Sequence, residues 1–212
     1  MGTIPNGILG GFRGTVGPAV GSSWKGINVI RSRPPRKRRK STEEQLKQMA
    51  RLALMSTFIH PLTSLLNKTY NSVTLLMSCF NKALSYNLCN AVEGEYPAFR
   101  VNYTRVILGS GFLLNAELSS SHSASKGQLT FTWKDNSNEG SARASDQAFA
   151  AVYCPVLGLW LTFYGGAMRS AGSYTLDVTA FGGKVVHGYI GFLAAGGKFV
   201  STSLYAGMVN IL

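Results

Sequence analysis

Acidic side chains are scarce in this 212-residue chain, in which nine Asp and Glu residues stand against 21 Lys and Arg residues. The shortage is complete at the N-terminus, because the first acidic residue is Glu43. Only three histidines are present, and neither they nor the carboxylates have a spacing typical of a metal site or an acid–base pair. We therefore expect a non-enzymatic protein with no metal, no cofactor and no small-molecule substrate.

Cysteines are also few, and their arrangement excludes two further classes of protein. Cys79, Cys89 and Cys154 are odd in number and have no C-x-x-C spacing, so a disulfide framework and a zinc site are both unsupported. No apolar run reaches the roughly 18 residues that a membrane helix needs, and the N-terminus lacks a signal-peptide pattern. We expect free buried thiols, no membrane partner, and a location in a virion or the cytoplasm without a secretion signal.

Positive charge is concentrated near the N-terminus. Residues 1–42 carry nine of the 21 cations, and residues 31–40 read RSRPPRKRRK. Such a run repels itself unless an anionic partner or water surrounds it, and arginine forks suit phosphate oxygens. We therefore predict nucleic-acid binding by the cations of this run; the alternatives are a solvated run or an address signal resembling a nuclear localisation sequence. The predicted contacts are Arg31, Arg33, Arg36, Lys37, Arg38, Arg39 and Lys40.

The first thirty residues are rich in glycine and interleaved with apolar side chains. Eight glycines make independent folding costly, whereas the apolar residues are too numerous for a free linker. The segment is typical of an extended arm that docks, either as an added strand on a neighbouring copy or as a hairpin within its own domain. Its glycine spacing matches no phosphate loop. The predicted docking residues are Phe12, Val16, Val20, Trp24 and Ile27.

Periodicity predicts helices first and strands afterwards. Apolar residues at three-to-four spacing follow a capping box at Ser41 and Thr42, which indicates a helix over about 42–59, and a second helical stripe that includes Val73 and Leu76 runs over about 62–88. From about residue 97 the period is two, as in Leu129, Phe131 and Trp133. Further strands are predicted near 99–108, 111–118, 147–154, 157–164, 174–180, 186–194 and 198–206, with turns at 119–126, 135–140, 165–166, 182–183 and 196–197.

These elements predict an α+β fold. An extended Gly-rich and basic arm (1–40) is followed by a helical pair (41–92) and by an antiparallel, immunoglobulin-like β-sandwich (93–212). One local pattern offers an alternative to a non-enzymatic role. His122 lies among Ser119, Ser120, Ser121, Ser123 and Ser125, which together supply a nucleophile and a base for a hydrolase, although no G-x-S-x-G elbow accompanies them.

Several short motifs resemble an uncharacterised family of Bacteroidota proteins that is known as a domain of unknown function. They are NGILGGFRGTVG at 6–17, the Trp24-Lys-Gly26 step, Arg31-Ser-x-Pro34, Thr42-x-x-Gln45, Tyr86-Asn-Leu88 with Tyr96-Pro97, and the closing hairpin at 199–207. The resemblance runs nearly end to end and implies no established activity or site. The first sixty residues are also similar to phage structural proteins.

Together these observations favour a self-assembling structural protein, such as a component of a phage virion. Its partners would be further copies of the chain, in a homo-oligomer or larger assembly, and nucleic acid bound through the arm. The alternative is a cytoplasmic protein that binds nucleic acid or associates with the ribosome.

Overall fold

The computed structural model describes residues 3, 10–24, 26–33, 40–70 and 77–212. Contacts within the chain divide it into two compact units, Met1–Thr42 and Glu43–Leu212. The helices and the sandwich therefore belong to one unit, and the glycine-rich segment forms the other.

The N-terminal unit contains a three-stranded antiparallel sheet in the order β1-β2-β3. Glycine permits its tight turns, since Gly17 and Gly26 have φ values of 54° and 82° at the two reversals. The segment thus pairs with itself in these strands. The strands are β1 Gly14–Val16, β2 Ala19–Trp24 and β3 Ile27–Ser32.

Three α-helices open the second unit: α1 Glu43–Ile59, α2 Thr63–Thr69 and α3 Cys79–Asn90, with a 3-10 turn at His60–Leu62. The prediction of one helix over 62–88 is wrong, because α2 ends at Thr69 and the Ser78 side chain caps a new helix by accepting from the Asn81 backbone N at 3.2 Å. Val73 and Leu76 of the predicted stripe lie outside the described residues. The stripe of α1 is buried only in its second half, since Leu46 and Met49 are exposed.

The strands of the second unit form two main antiparallel sheets. The strands are β4 Val92–Glu93, β5 Arg100–Val101, β6 Glu117–His122, β7 Gln128–Lys134, β8 Gln147–Cys154, β9 Leu159–Met168, β10 Ser173–Asp177, β11 Val185–Leu193 and β12 Leu204–Asn210. Three strands pair in the order β10-β7-β6, four pair in the order β12-β11-β8-β9, and β4 pairs with β5.

The second unit has three layers, which are the three-stranded sheet, the four-stranded sheet and the helices, with a buried cluster on each face of the four-stranded sheet. The predicted inward residues Leu129, Phe131 and Trp133 of β7 pack against the four-stranded sheet, and α1 and α2 cover the opposite face of that sheet. Strand β8 therefore has two buried faces: Val152 faces the sandwich core, whereas Phe149 belongs to the cluster with the helices. This α+β, immunoglobulin-like sandwich confirms the fold class expected from the sequence.

Several predicted strand limits are wrong for identifiable reasons. The expected turn over 119–126 begins as strand β6, whose serine hydroxyls bond to neighbouring strands. The glycine pair 165–166 lies within β9, where the Tyr174 hydroxyl occupies the space that a Cβ on Gly166 would take. The strand predicted over 99–108 is reduced to β5 and a 3-10 turn at Tyr103–Arg105.

The remaining differences lie at the ends of three strands. Strand β6 begins at Glu117 and strand β12 at Leu204, later than the predicted 111 and 198. Before them, the chain makes only isolated bridges, which pair Leu113 with Ser201 and Leu193 with Val200. Strand β10 ends at Asp177, where a 3-10 turn at Thr179–Phe181 replaces the predicted continuation.

Candidate assembly and polyanion-binding surface

Strand β3 is exposed to solvent along its whole length, since all six of its residues are exposed. Arg31 pairs in register with Val20 of β2, and the Arg33 backbone N donates to the Pro18 carbonyl at 2.7 Å. Arg31 and Arg33 are thus two residues apart on paired, extended chain, which directs their side chains to the same side. No carboxylate occurs in residues 1–42, so the N-terminal unit contains no acidic group that neutralises these guanidinium groups.

The remaining cations of the predicted site divide into two groups. Lys40 is exposed. Arg36, Lys37, Arg38 and Arg39 lie outside the described residues. The structure therefore places three of the seven predicted contacts and brings Arg31 and Arg33 together.

Three apolar side chains of β2 and β3, those of Trp24, Ile27 and Val29, share a face with Arg31. Antiparallel register pairs Trp24 with Ile27 and Ser22 with Val29, and directly opposed residues point to the same side of a sheet. Trp24, Ile27 and Val29 are between 45% and 56% exposed, and Ile30 on the opposite face is 69% exposed. Trp24, Ile27, Val29 and Arg31 form what we call the β3 surface, which combines large apolar area with positive charge.

The predicted docking residues do not all lie on this surface. Phe12 is half-buried against its own sheet, because a Cβ on Gly21 would lie 2.7 Å from the Phe12 ring. Val20 is half-buried and lies next to Arg31, and Val16 is exposed on the opposite face of the sheet. Trp24 and Ile27 are therefore the predicted docking residues that are exposed on the same face as Arg31.

A fully buried ion pair lies inside the sandwich. The Arg169 Nε donates to Asp146 Oδ2 at 3.1 Å, and its Nη1 donates to the Asn136 Oδ1 at 2.7 Å. Its Nη2 donates to the Leu114 carbonyl at 2.9 Å, and the guanidinium carbon lies 3.9 Å from the centre of the Phe192 ring. Burial lowers the pKa of Arg169, and the negative charge of Asp146 partly offsets this decrease. With its donors satisfied, this group serves to join loops rather than to bind a ligand.

This pair was not among the predicted site residues, although the sequence carries a signal for it. Residues 147–168 contain no Asp, Glu, Lys or Arg, and Asp146 and Arg169 are the residues that bound this stretch. A hairpin over the stretch, formed by β8 and β9, brings its two ends together. The charged residues that flank a long uncharged hairpin were therefore candidates for a mutual ion pair.

Aromatic rings line one side of the second unit. The rings of Phe58, Tyr153 and Trp160 lie 4.8–5.0 Å apart, and the ring of Tyr103 lies 4.2 Å from that of His187. His187 is buried, and its Nδ1 is hydrogen-bonded to the Tyr205 hydroxyl at 2.9 Å. Burial lowers the pKa of His187 and raises that of Tyr205. The histidine is thus held neutral in a packed aromatic cluster.

A groove of about 620 Å³ borders this cluster. It lies between the second half of α1 and the segment around β5, and Phe58, Phe99, Tyr103 and Tyr153 line it. Burial raises the pKa of the Tyr103 and Tyr153 hydroxyls, so both stay protonated as hydrogen-bond donors at neutral pH. The groove offers aromatic faces and few charged groups.

The residues of the alternative hydrolase site are engaged in the sheet. The Ser121 Oγ donates to the Ala206 carbonyl at 3.0 Å, the Ser123 Oγ donates to the Gln128 carbonyl at 2.8 Å, and Ser120 is hydrogen-bonded to Thr132. In the described hydrogen bonds these serines contact neighbouring strands and not His122. The described part of the chain contains no group of three His, Cys, Asp or Glu suited to a metal ion. None of its helices has the length and apolar character for crossing a membrane.

The geometry defines the class of the protein as an α+β, immunoglobulin-like sandwich that is accompanied by a cationic N-terminal sheet. Among solved structures, the chain is similar to the FN1–FN3 domains of chicken CNTN1, at 14% identity and a TM-score of 0.39, covering 49% of this chain and 35% of that one. It is also similar to the fn3 domain of human collagen alpha-1(XX), at 15% identity and a TM-score of 0.35, covering 49% and 91% of the two chains.

A third similar structure is a family 76 glycoside hydrolase from a bovine Bacteroides thetaiotaomicron strain, at 15% identity and a TM-score of 0.36, covering 46% of this chain and 20% of that one. This chain thus matches about a third of the CNTN1 fragment and a fifth of the hydrolase. No curated protein matches the sequence. The chain belongs to the family of unknown function DUF6266, whose model matches residues 11–207.

Proposed function

We propose that this protein is a non-enzymatic structural subunit that self-associates into a phage virion or a similar particle, and that its N-terminal unit contacts neighbouring subunits. The β3 surface carries this proposal. It combines a fully exposed strand, three large apolar side chains and a guanidinium group within a unit that has no acid.

The apolar residues of the β3 surface favour a protein neighbour. Full burial of a Val, Ile or aromatic side chain stabilises by about 1.5–3 kcal/mol, so covering the exposed half of each contributes on the order of 1 kcal/mol. Strand β3 is also at the edge of its sheet in the order β1-β2-β3. An edge strand presents backbone donors and acceptors to which another strand can pair.

The charge of the N-terminal unit favours packaged nucleic acid as a further contact. Arg31, Arg33 and Lys40 are exposed, and the run 31–40 adds four further cations. Phosphates would neutralise this charge and release counterions, whereas the near-neutral second unit has twelve cations and nine acids. A particle subunit uses both properties, since neighbours cover the apolar area and the enclosed polyanion covers the charge.

Size separation of the nuclease-treated, full-length protein tests the proposal. Val29→Ser removes apolar area from the β3 surface, and Val156→Ser is the matched control, because Val156 is 75% exposed in the second unit. We expect a discrete large species for the parent and the control, and a shift toward small species for Val29→Ser. A small parent species that changes only when RNA or DNA is added would instead support the nucleic-acid or ribosome-associated binding protein.

A further inference from the structure

We propose that strand β9 is a second assembly interface, at which it pairs antiparallel with β9 of a second copy of this chain. Strand β9 is an edge of the four-stranded sheet, in the order β12-β11-β8-β9. Among the described residues, no backbone hydrogen bond joins β9 residues 159–168 to a strand other than β8. Its outer edge is therefore open to a further strand.

The composition of β9 is unusual for an edge strand. Its ten residues, LWLTFYGGAM, contain no charge and no proline, the usual means by which edges avoid pairing. Residues 159–164 pair with β8 in unbroken register, and the irregularity of the ladder begins only after Tyr164. Leu159, Tyr164 and Met168 are between 52% and 56% exposed. The first six residues thus form a regularly paired, uncharged edge strand that is rich in residues favoured in strands.

The other edges of the two main sheets are protected. Strand β12 has a register irregularity opposite Gly188, and the Ser121 Oγ of β6 donates to its Ala206 carbonyl. Strand β6 is irregular between Glu117 and Ser120, and β10 has only five residues and ends in Asp177. Strand β9 alone among these four edges is both regular and free of charge over six residues.

Self-pairing is the arrangement that the sequence of β9 permits best. A twofold axis perpendicular to the sheet keeps each face of the strand on the same side, so residues of equal parity oppose each other. Centred on Thr162, the pairing sets Thr162 against Thr162 of the second copy, Trp160 against Tyr164 and Leu161 against Phe163. Threonine pairs and aromatic pairs are favourable across strands, and identical charges, which self-pairing would oppose, are absent.

The faces of β9 are already occupied within the chain, so the pairing requires no rearrangement. The Trp160 Nε1 donates to the Phe58 carbonyl at 2.9 Å, and the Lys68 Nζ lies 3.6 Å from the centre of the Tyr164 ring. Leu161 and Phe163 pack on the sandwich core. Two four-stranded sheets would join into one of eight strands, a size common in globular proteins.

Charge exchange at Thr162 tests the interface in the full-length protein. Thr162 is half-buried, so a longer side chain reaches solvent in the free subunit. Native mass spectrometry should give a dimer as the smallest species of a parent that carries Val29→Ser, in which the β3 surface is weakened; the Thr162 variants are made in this same parent. Thr162→Lys and Thr162→Asp should each give monomers, since like charges then face each other, and an equimolar mixture should restore dimers.

Thr175→Lys is the control, because Thr175 is an exposed threonine on the edge strand β10, and it should stay dimeric. A monomeric parent, single variants that stay dimeric, or a mixture that stays monomeric would each overturn the proposal. The cations of the N-terminal unit are unchanged in all variants, so failure of the β9 interface is distinguishable from failure of the N-terminal unit to assemble or to bind polyphosphate.

Discussion

The guanidinium of Arg169 and the carboxylate of Asp146 form an ion pair of 3.1 Å in which both side chains are 1% exposed or less. Asp146 also accepts from the Arg143 backbone N at 2.8 Å, and Arg169 donates to the loop at Leu114. The pair therefore joins the ends of the β8–β9 hairpin to a loop that is distant in sequence.

Replacement of Arg169 by Met should destabilise the fold by about 3–5 kcal/mol, because Asp146 is left charged and buried without its partner. The free energy of unfolding, from urea titration monitored by fluorescence, measures the change. Lys134→Met is the control: it breaks the exposed ion pair with Glu117, and should lower the free energy of unfolding far less than Arg169→Met does. Equal effects of the two variants would contradict a structural role for the buried pair.

Acidification should weaken the fold through His187. Because burial lowers the pKa of this histidine below its value in the unfolded chain, the unfolded state binds more protons between the two values. The contribution of His187 to the free energy of unfolding is therefore fully present above about pH 6.5. It is lost as the pH falls from there to the pKa of the folded state, by about 1.4 kcal/mol for each pH unit between the unfolded and folded pKa values.

His187→Gln tests this dependence, since glutamine can still bond to the Tyr205 hydroxyl but does not titrate. Urea midpoints of the parent and the variant should converge as the pH falls from 7.5 to 5. A constant difference between the two proteins across this range would exclude His187 as the titrating group.

A methyl group at Gly111 should be poorly tolerated. A Cβ there would lie 2.2 Å from the Val200 carbonyl oxygen, which accepts the hydrogen bond of the Leu113 backbone N at 3.1 Å. Gly111→Ala should therefore cost about 1–3 kcal/mol in the free energy of unfolding. Gly196→Ala is the matched control, because nothing lies within 4 Å of its Cβ position. Equal thermal stability of both variants would show that the close approach at Gly111 is relieved at no cost.

Salt dependence should report the N-terminal cations. If six to nine of them contact duplex phosphates, log affinity falls against log salt with a slope of about −5 to −8. Arg31→Ser combined with Arg33→Ser should reduce the magnitude of that slope by about 2. The control is Lys126→Ser with Lys198→Ser, which removes two exposed cations of the second unit. The slopes are measured by fluorescence anisotropy on DNA. Identical slopes for both double variants would show that Arg31 and Arg33 do not contact the DNA phosphates.

The sequence predicted those features of the fold that are periodic or local. Alternation identified Leu129, Phe131 and Trp133 as one buried face of β7, and the capping pattern placed the start of α1 within a residue of Glu43. The helix break before Ser78 was missed, because the apolar stripe predicted one continuous helix over 62–88. The glycines at 165–166 were predicted to form a turn but lie within β9. Gly166 leaves room for the ring of Tyr174, and this contact with a residue eight positions further along the chain could not be predicted from local pattern.

The features that remained hidden depend on contacts between distant residues. Arg169 reaches Asn136 and Leu114 across 33 and 55 residues, and the Trp160 Nε1 reaches the Phe58 carbonyl across 102 residues. Topology, rather than local pattern, brings these groups together. For the candidate site, composition located the cations, whereas only the register of β2 and β3 shows that Arg31 shares a face with Trp24, Ile27 and Val29.

The mass of the full-length protein after nuclease treatment, measured by native mass spectrometry and electron microscopy, tests the central proposal most directly. We predict discrete, regular particles of many copies, which lose their order when Val29 of the β3 surface is replaced by Ser. A monodisperse monomer that does not bind polyphosphate at low ionic strength would contradict both the self-association and the polyanion binding that we propose.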